Sequence, residues 1–112
     1  MTEINLMNGN IQISGKTLSF KFDIAEYIEL NNIIVVRLKV PTDIIFNENI
    51  FGVNTDGKIV WQIVSREFMH KNSPYTNMKK VNNSRVNLSN WDGTQVLINP
   101  NNGNILDEKW VK

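Results

Sequence analysis

The residues with the widest chemical reach in this sequence crowd into one stretch, residues 64–81. It holds the single histidine, His70, together with Arg66, Phe68, Met69, Lys71, Tyr75, Met78, Lys79 and Lys80. A histidine can act as a general base or activate a nucleophile, but either role needs an oriented acid or a nucleophile elbow, and the sequence has no Gly-x-Ser-x-Gly. Aromatic residues, Met and Arg are the types enriched where proteins touch one another. The stretch also lacks regular alternation, and connections longer than about 12–15 residues are uncommon in compact domains and often functional. Residues 64–81 are therefore expected to be a long irregular loop. It either binds a partner through Arg66, Phe68, His70, Lys71 and Tyr75 or lies as a lid packed on the core.

Other chemistries find little footing. With one histidine and no cysteine, no metal-ligand cluster is expected. Asp56 and Asp92 each precede a glycine in a turn-like stretch, where Asp bonds its own backbone. The run Asn54-Thr55-Asp56-Gly57 opens like a calcium loop but has no closing Glu. Neither Gly-x-x-x-x-Gly-Lys-Ser/Thr nor Gly-x-Gly-x-x-Gly occurs, so no nucleotide cradle and no cofactor is expected. A single-strand nucleic-acid surface would draw on Arg66, Lys71, Tyr75, Lys79, Lys80, Arg85 and Trp91, and a sugar site on Trp61, Trp91 and Trp110. A net charge of +1 gives nucleic acid no global attraction.

These residues need a scaffold, and the bulk composition says which kind. The chain has 112 residues, 41% hydrophobic and 21% charged, which suits one globular domain over residues 1–112 with one core. The absence of cysteine suits a reducing compartment. The first residues show no basic segment followed by an apolar stretch, and no apolar run is long enough for a bilayer. Cytoplasmic residence is the expectation. Asparagine is over-used, at 18 residues, through real turns or through the base composition of the gene.

Period-two alternation recurs between turn signals. Ile4 and Leu6 precede Asn8-Gly9, Ile11 and Ile13 follow it, and Leu18, Phe20 and Phe22 continue after Ser14-Gly15. Residues 24–30 suit a strand or bend. The clearest strand places Ile34, Val36, Leu38 and Val40 inward with Arg37 and Lys39 outward, and ends at Pro41. Further strands are expected over residues 49–53, 59–63, 85–89, 94–98 and 104–106. Residues 53–60 echo residues 98–106: strand, Asn-started turn, Gly, strand. The echo also suits a β-propeller hairpin, but the chain is too short for the blades a propeller needs. The fold expected is all-β: a single antiparallel meander of about eight strands, closed as a small barrel or compact sandwich.

The segments Asn49-Ile50-Phe51-Gly52-Val53-Asn54, Gly57-Lys58-Ile59-Val60-Trp61-Gln62-Ile63, Ser73-Pro74-Tyr75-Thr76, Asn90-Trp91-Asp92-Gly93 and Asn99-Pro100-Asn101-Asn102-Gly103 resemble a group of small uncharacterised all-β proteins of Bacillus-like bacteria. The likeness spans roughly residues 15–108. It implies no catalytic residues; small intracellular proteins of that kind are often immunity proteins, antidotes to secreted toxins. The functional expectation is thus a non-catalytic intracellular protein-binding domain whose partner is a protein, with a toxin domain as the narrower form. The alternative is a small nucleic-acid- or carbohydrate-binding β module.

Overall fold

A computed structural model describes residues 3–65 and 71–110 of the chain. Eleven strands occur among them and no helix, so no helix is long and apolar enough to cross a membrane. The strands form three open antiparallel sheets in which sequence neighbours pair. The first contains β1 (Ile4–Met7), β2 (Asn10–Ile13) and β3 (Lys16–Ser19). The second contains β4 (Ile24–Glu29), β5 (Ile33–Leu38), β6 (Ile50–Asn54) and β7 (Ile59–Gln62). The third contains β8 (Tyr75–Asn82), β9 (Arg85–Asn90), β10 (Thr94–Ile98) and β11 (Ile105–Trp110). The all-β expectation holds. Where a single meander of about eight strands, closed as a small barrel or compact sandwich, was expected, the described residues form eleven strands in three stacked sheets, with no closed barrel among them.

Two apolar clusters explain the stacking. On one face of the second sheet Ile34, Val36, Leu38, Phe51 and Val53 pack with Ile11 and Ile13 of the first. On the other, Ile33, Val35, Ile50, Trp61 and Ile63 pack with Tyr75, Met78, Val86, Leu88, Val96 and Ile98 of the third. The middle sheet is buried on both sides, so β5 carries an unbroken run, Ile33-Ile34-Val35-Val36, in place of one-sided alternation. Arg37 shares the face of Ile33 and Val35, and its charge is met by Glu26 opposite it on β4, at 2.6 Å. The outer layers end in polar faces: Asn5, Asn10, Gln12 and Thr17 on the first sheet, Asn87, Ser89 and Gln95 on the third.

The turns follow from their residues. At β2–β3 Ser14 and Gly15 both take positive φ, 50° and 85°, as a tight primed turn requires. At β1–β2 only Asn8 does, at 54°. Three further turns share one construction. The side-chain oxygens of Asn54, Asn90 and Asn99 each accept the backbone N–H two residues on, and Gly57, Gly93 and Gly103 supply the positive φ. The internal echo is this shared turn chemistry.

Trp61 locks the second sheet to the third. Its Nε1 donates to the carbonyl oxygen of Pro100 in the β10–β11 turn at 2.7 Å. Its ring lies so close to Gly52 and Gly103 that a Cβ built on either would stand 2.1 and 2.5 Å from ring atoms.

Candidate functional site

The expected long loop is shorter than residues 64–81. Its second half is β8, whose alternation two bulges interrupt, at Tyr75/Asn77 and Lys80/Asn82. Of the five residues expected to bind, Arg66, Phe68 and His70 lie outside the described residues. Lys71 is exposed. Tyr75 corrects the expectation: at 1% exposure it is a core ring among Met78, Leu88 and Val35, because it enters β8 on the face turned toward the second sheet.

The segment carrying Lys71 and Tyr75 is held by side-chain amides. Asn47 accepts the Ser73 N–H at 2.8 Å and donates to the Lys71 carbonyl at 2.9 Å. Asn49, fully buried, accepts the Tyr75 N–H at 2.9 Å and donates to the carbonyls of Tyr75 and Leu38. Asn90 donates to the Ser73 carbonyl at 2.9 Å, and the backbone N–H of Trp91 donates to that of Pro74 at 3.0 Å. From the segment itself, Asn72 donates to the Thr42 carbonyl at 3.1 Å. Backbone that joins no ladder must find partners elsewhere, and these amides provide them.

The clamped segment forms one wall of a groove of about 320 Å³. Asn72, Pro74 and Thr76 line that wall, Val40, Pro41 and Thr42 the other, and Trp91 stands at the mouth, 64% exposed. Trp91 follows the Asn90 that opens its turn, so the ring projects from the sheet end instead of alternating into the core. The volume sits at the low end of the range for small-molecule sites, about 300–1,000 Å³. Among the described residues, none that lines it is ionisable. The polar groups are few and partly committed: Thr76 Oγ1 donates to the Ser89 carbonyl and Asn72 Nδ2 to the Thr42 carbonyl, while among the described residues Asn72 Oδ1 meets no hydrogen-bond donor. Among the described residues no group of three His, Cys, Asp or Glu is placed to hold a metal ion.

Among the described residues, the bases named for nucleic acid do not all gather around Trp91. Lys79 and Arg85 lie toward the far end of the β8–β9 hairpin, whereas Trp91 sits beyond Asn90. Five strand steps separate Arg85 from Asn90, roughly 17 Å at about 3.4 Å each. Of the three tryptophans, Trp61 is core and Trp110 closes β11, leaving Trp91 alone in the groove.

A model of the family described as "Domain of unknown function (DUF7957)" matches residues 1–110. The chain belongs to that family. The match covers all three sheets and every described groove residue. No curated protein and no solved structure matches the chain. Sequence reasoning placed Trp91 in a nucleic-acid surface and in a sugar site, and missed Pro41, Thr42 and Pro74. A tryptophan in the second position of an Asn-started turn, where no strand can carry it inward, was the available signal.

Proposed function

We propose that this is a non-catalytic protein-binding domain of the cytoplasm, and that its partner docks in the Trp91 groove. The observation that carries the reading is the exposed Trp91 ring on an apolar groove lined by Val40, Pro41 and Pro74, with no ionisable side chain among its described lining residues. Exposed aromatic anchors over apolar pockets are where protein interfaces concentrate binding energy. The described lining residues supply no titratable group for acid–base chemistry, and no base to activate the Thr42 or Thr76 hydroxyl. The narrower form, an immunity protein whose partner is a toxin domain, rests on the resemblance of the Trp-Asp-Gly and Asp-Gly–Trp-Gln segments alone. A sugar-binding module shares the Trp91 platform, but stacking on a sugar also asks for free hydroxyl or amide partners. Here the polar lining is confined to Thr42, Asn72 and Thr76, against the apolar Val40, Pro41 and Pro74.

The test is a capture experiment with the tagged chain and its Trp91→Ala variant against lysate and medium of the cells that make it, read by mass spectrometry. The expected result is a stoichiometric protein held by the parent and lost from the variant, with far-UV circular dichroism and the melting midpoint unchanged. A captured protein whose toxicity the parent suppresses establishes the narrower form. Equal capture by both chains overturns the groove as the docking site, and capture of no protein overturns the reading.

A further inference from the structure

Pro41 belongs to two hollows at once. On one side it walls the Trp91 groove; on the other it joins Lys21, Phe22, Asp23 and Lys39 around a second, more open depression of about 390 Å³. The two are therefore neighbours across one residue, yet their chemistry is opposite. Among their described lining residues the first carries no charge, while the second carries two ammonium groups against one carboxylate, a net +1. Among the described residues neither lysine is ion-paired with a carboxylate. The basic hollow is also built on a fixed frame. The Lys39 N–H donates to the Asp23 carbonyl at 2.7 Å, Phe22 packs on Phe46 with centroids 5.4 Å apart, and the Lys21 ammonium sits 5.5 Å from the centre of the Phe22 ring.

From this juxtaposition we infer that the two hollows are one bipartite docking surface, and that the partner segment it fits is acidic and apolar. One apolar side chain inserts beside Trp91, and an Asp or Glu close to it in the partner lies over Lys21 and Lys39. The inference rests on the protein-binding reading of the groove and adds the charge of the partner to it. The two parts do different work. The desolvated anchor holds the complex, so its loss raises the dissociation rate. The exposed lysines act through solvent, are screened beyond about 8 Å at physiological ionic strength, and mainly steer approach. Salt therefore separates them.

The probes are two fluorescein-labelled decapeptides with one central Trp and four flanking charges, all Glu in one and all Lys in the other. Binding is followed by fluorescence anisotropy at low and high salt. The intact chain is expected to bind the Glu peptide at least tenfold more tightly than the Lys peptide at low salt, with the gap closing as salt rises. In Lys21→Glu/Lys39→Glu, which changes only exposed side chains, the preference for Glu is expected to disappear or reverse while high-salt affinity stays at the parent value. Trp91→Ala is expected to lose both peptides at every salt concentration. If Trp91→Ala abolishes binding but the double reversal leaves the preference unchanged, the bipartite surface is overturned and the groove reading stands. If Trp91→Ala binds as the parent does, the groove reading itself falls. Failure of the parent to bind either peptide, or equal binding of both, overturns the inference.

Discussion

Replacing Gly52 by Ala puts the Trp61 lock to its most direct test. The new methyl carbon would stand 2.1 Å from Cε2 and Nε1 of the indole, where ordinary contact begins near 3.4 Å, so the ring must retreat by about 1.3 Å (3.4 − 2.1). Gly103 already lies against Cε3 and Cδ2, and Nε1 is tied to the Pro100 carbonyl at 2.7 Å. A retreat of that size takes the donor out of reach unless the whole β10–β11 turn follows. Overpacking of this kind costs about 1–3 kcal/mol, and stranding a buried carbonyl about 1–3 kcal/mol more. An overall loss of about 3–4 kcal/mol is expected, with a fall in melting midpoint of roughly 10–15 °C. Urea unfolding of Gly52→Ala, Trp61→Ala and the double variant makes the cause visible. Trp61→Ala alone should cost about 3–5 kcal/mol, and the double variant no more than that, since the added methyl group then meets empty space. Independent costs would instead sum to within about 0.5 kcal/mol. Additivity would refute the account of Gly52 as the seat of the indole.

Two further changes probe other parts of the frame. Asn49→Leu keeps the branched outline of the side chain but leaves the Tyr75 N–H and the carbonyls of Tyr75 and Leu38 without their amide. At about 1–3 kcal/mol for each buried group, discounted for relaxation, a loss of about 3–5 kcal/mol in urea unfolding is expected, with faster proteolysis near residues 71–75. Glu26→Gln removes the charge partner of Arg37 at a site where the two side chains are 29% and 16% exposed. Solvent screening holds the expected loss to about 1 kcal/mol, smaller still at high salt, and a variant as stable as the parent at low salt would show the pair to be neutral.

The strands were legible wherever one face alone was buried, because alternation then writes the burial directly into the sequence. β9 and β10 show it, with Val86, Leu88, Val96 and Ile98 inward. Two features escaped. The run Ile33-Ile34-Val35-Val36 invited a one-sided reading, although an unbroken apolar run is what burial on both faces produces, and with it a third layer. β8 was lost inside the expected loop because its bulges reset the face between Tyr75 and Met78, leaving no stable period to detect. The site was less legible still. It is assembled from the ends of three elements whose sequence positions span Val40 to Trp91, and no spacing rule links them. Tyr75 was singled out for its type; the structure spends that ring on the core.

The surplus of asparagine finds part of its physical use at this site. A turn needs only an acceptor, which Asp or Ser could provide as well. The segment at residues 71–75 asks for more, since its N–H and carbonyl groups have to be met from the side. Asn47 and Asn49 each donate and accept on it at once, through the Lys71 carbonyl and Ser73 N–H and through both backbone groups of Tyr75. A carboxylate could not donate, and a hydroxyl is too short to bridge both groups. The wall of the groove is thereby ordered in the free protein, so its conformational entropy is already lost before a partner arrives. A mobile loop bearing the same Pro74 and Asn72 would have to spend part of each contact on its own ordering. The amide clamp and the exposed Trp91 are thus two halves of one arrangement, a fixed wall and a projecting ring, and the first is what lets the second act as an anchor.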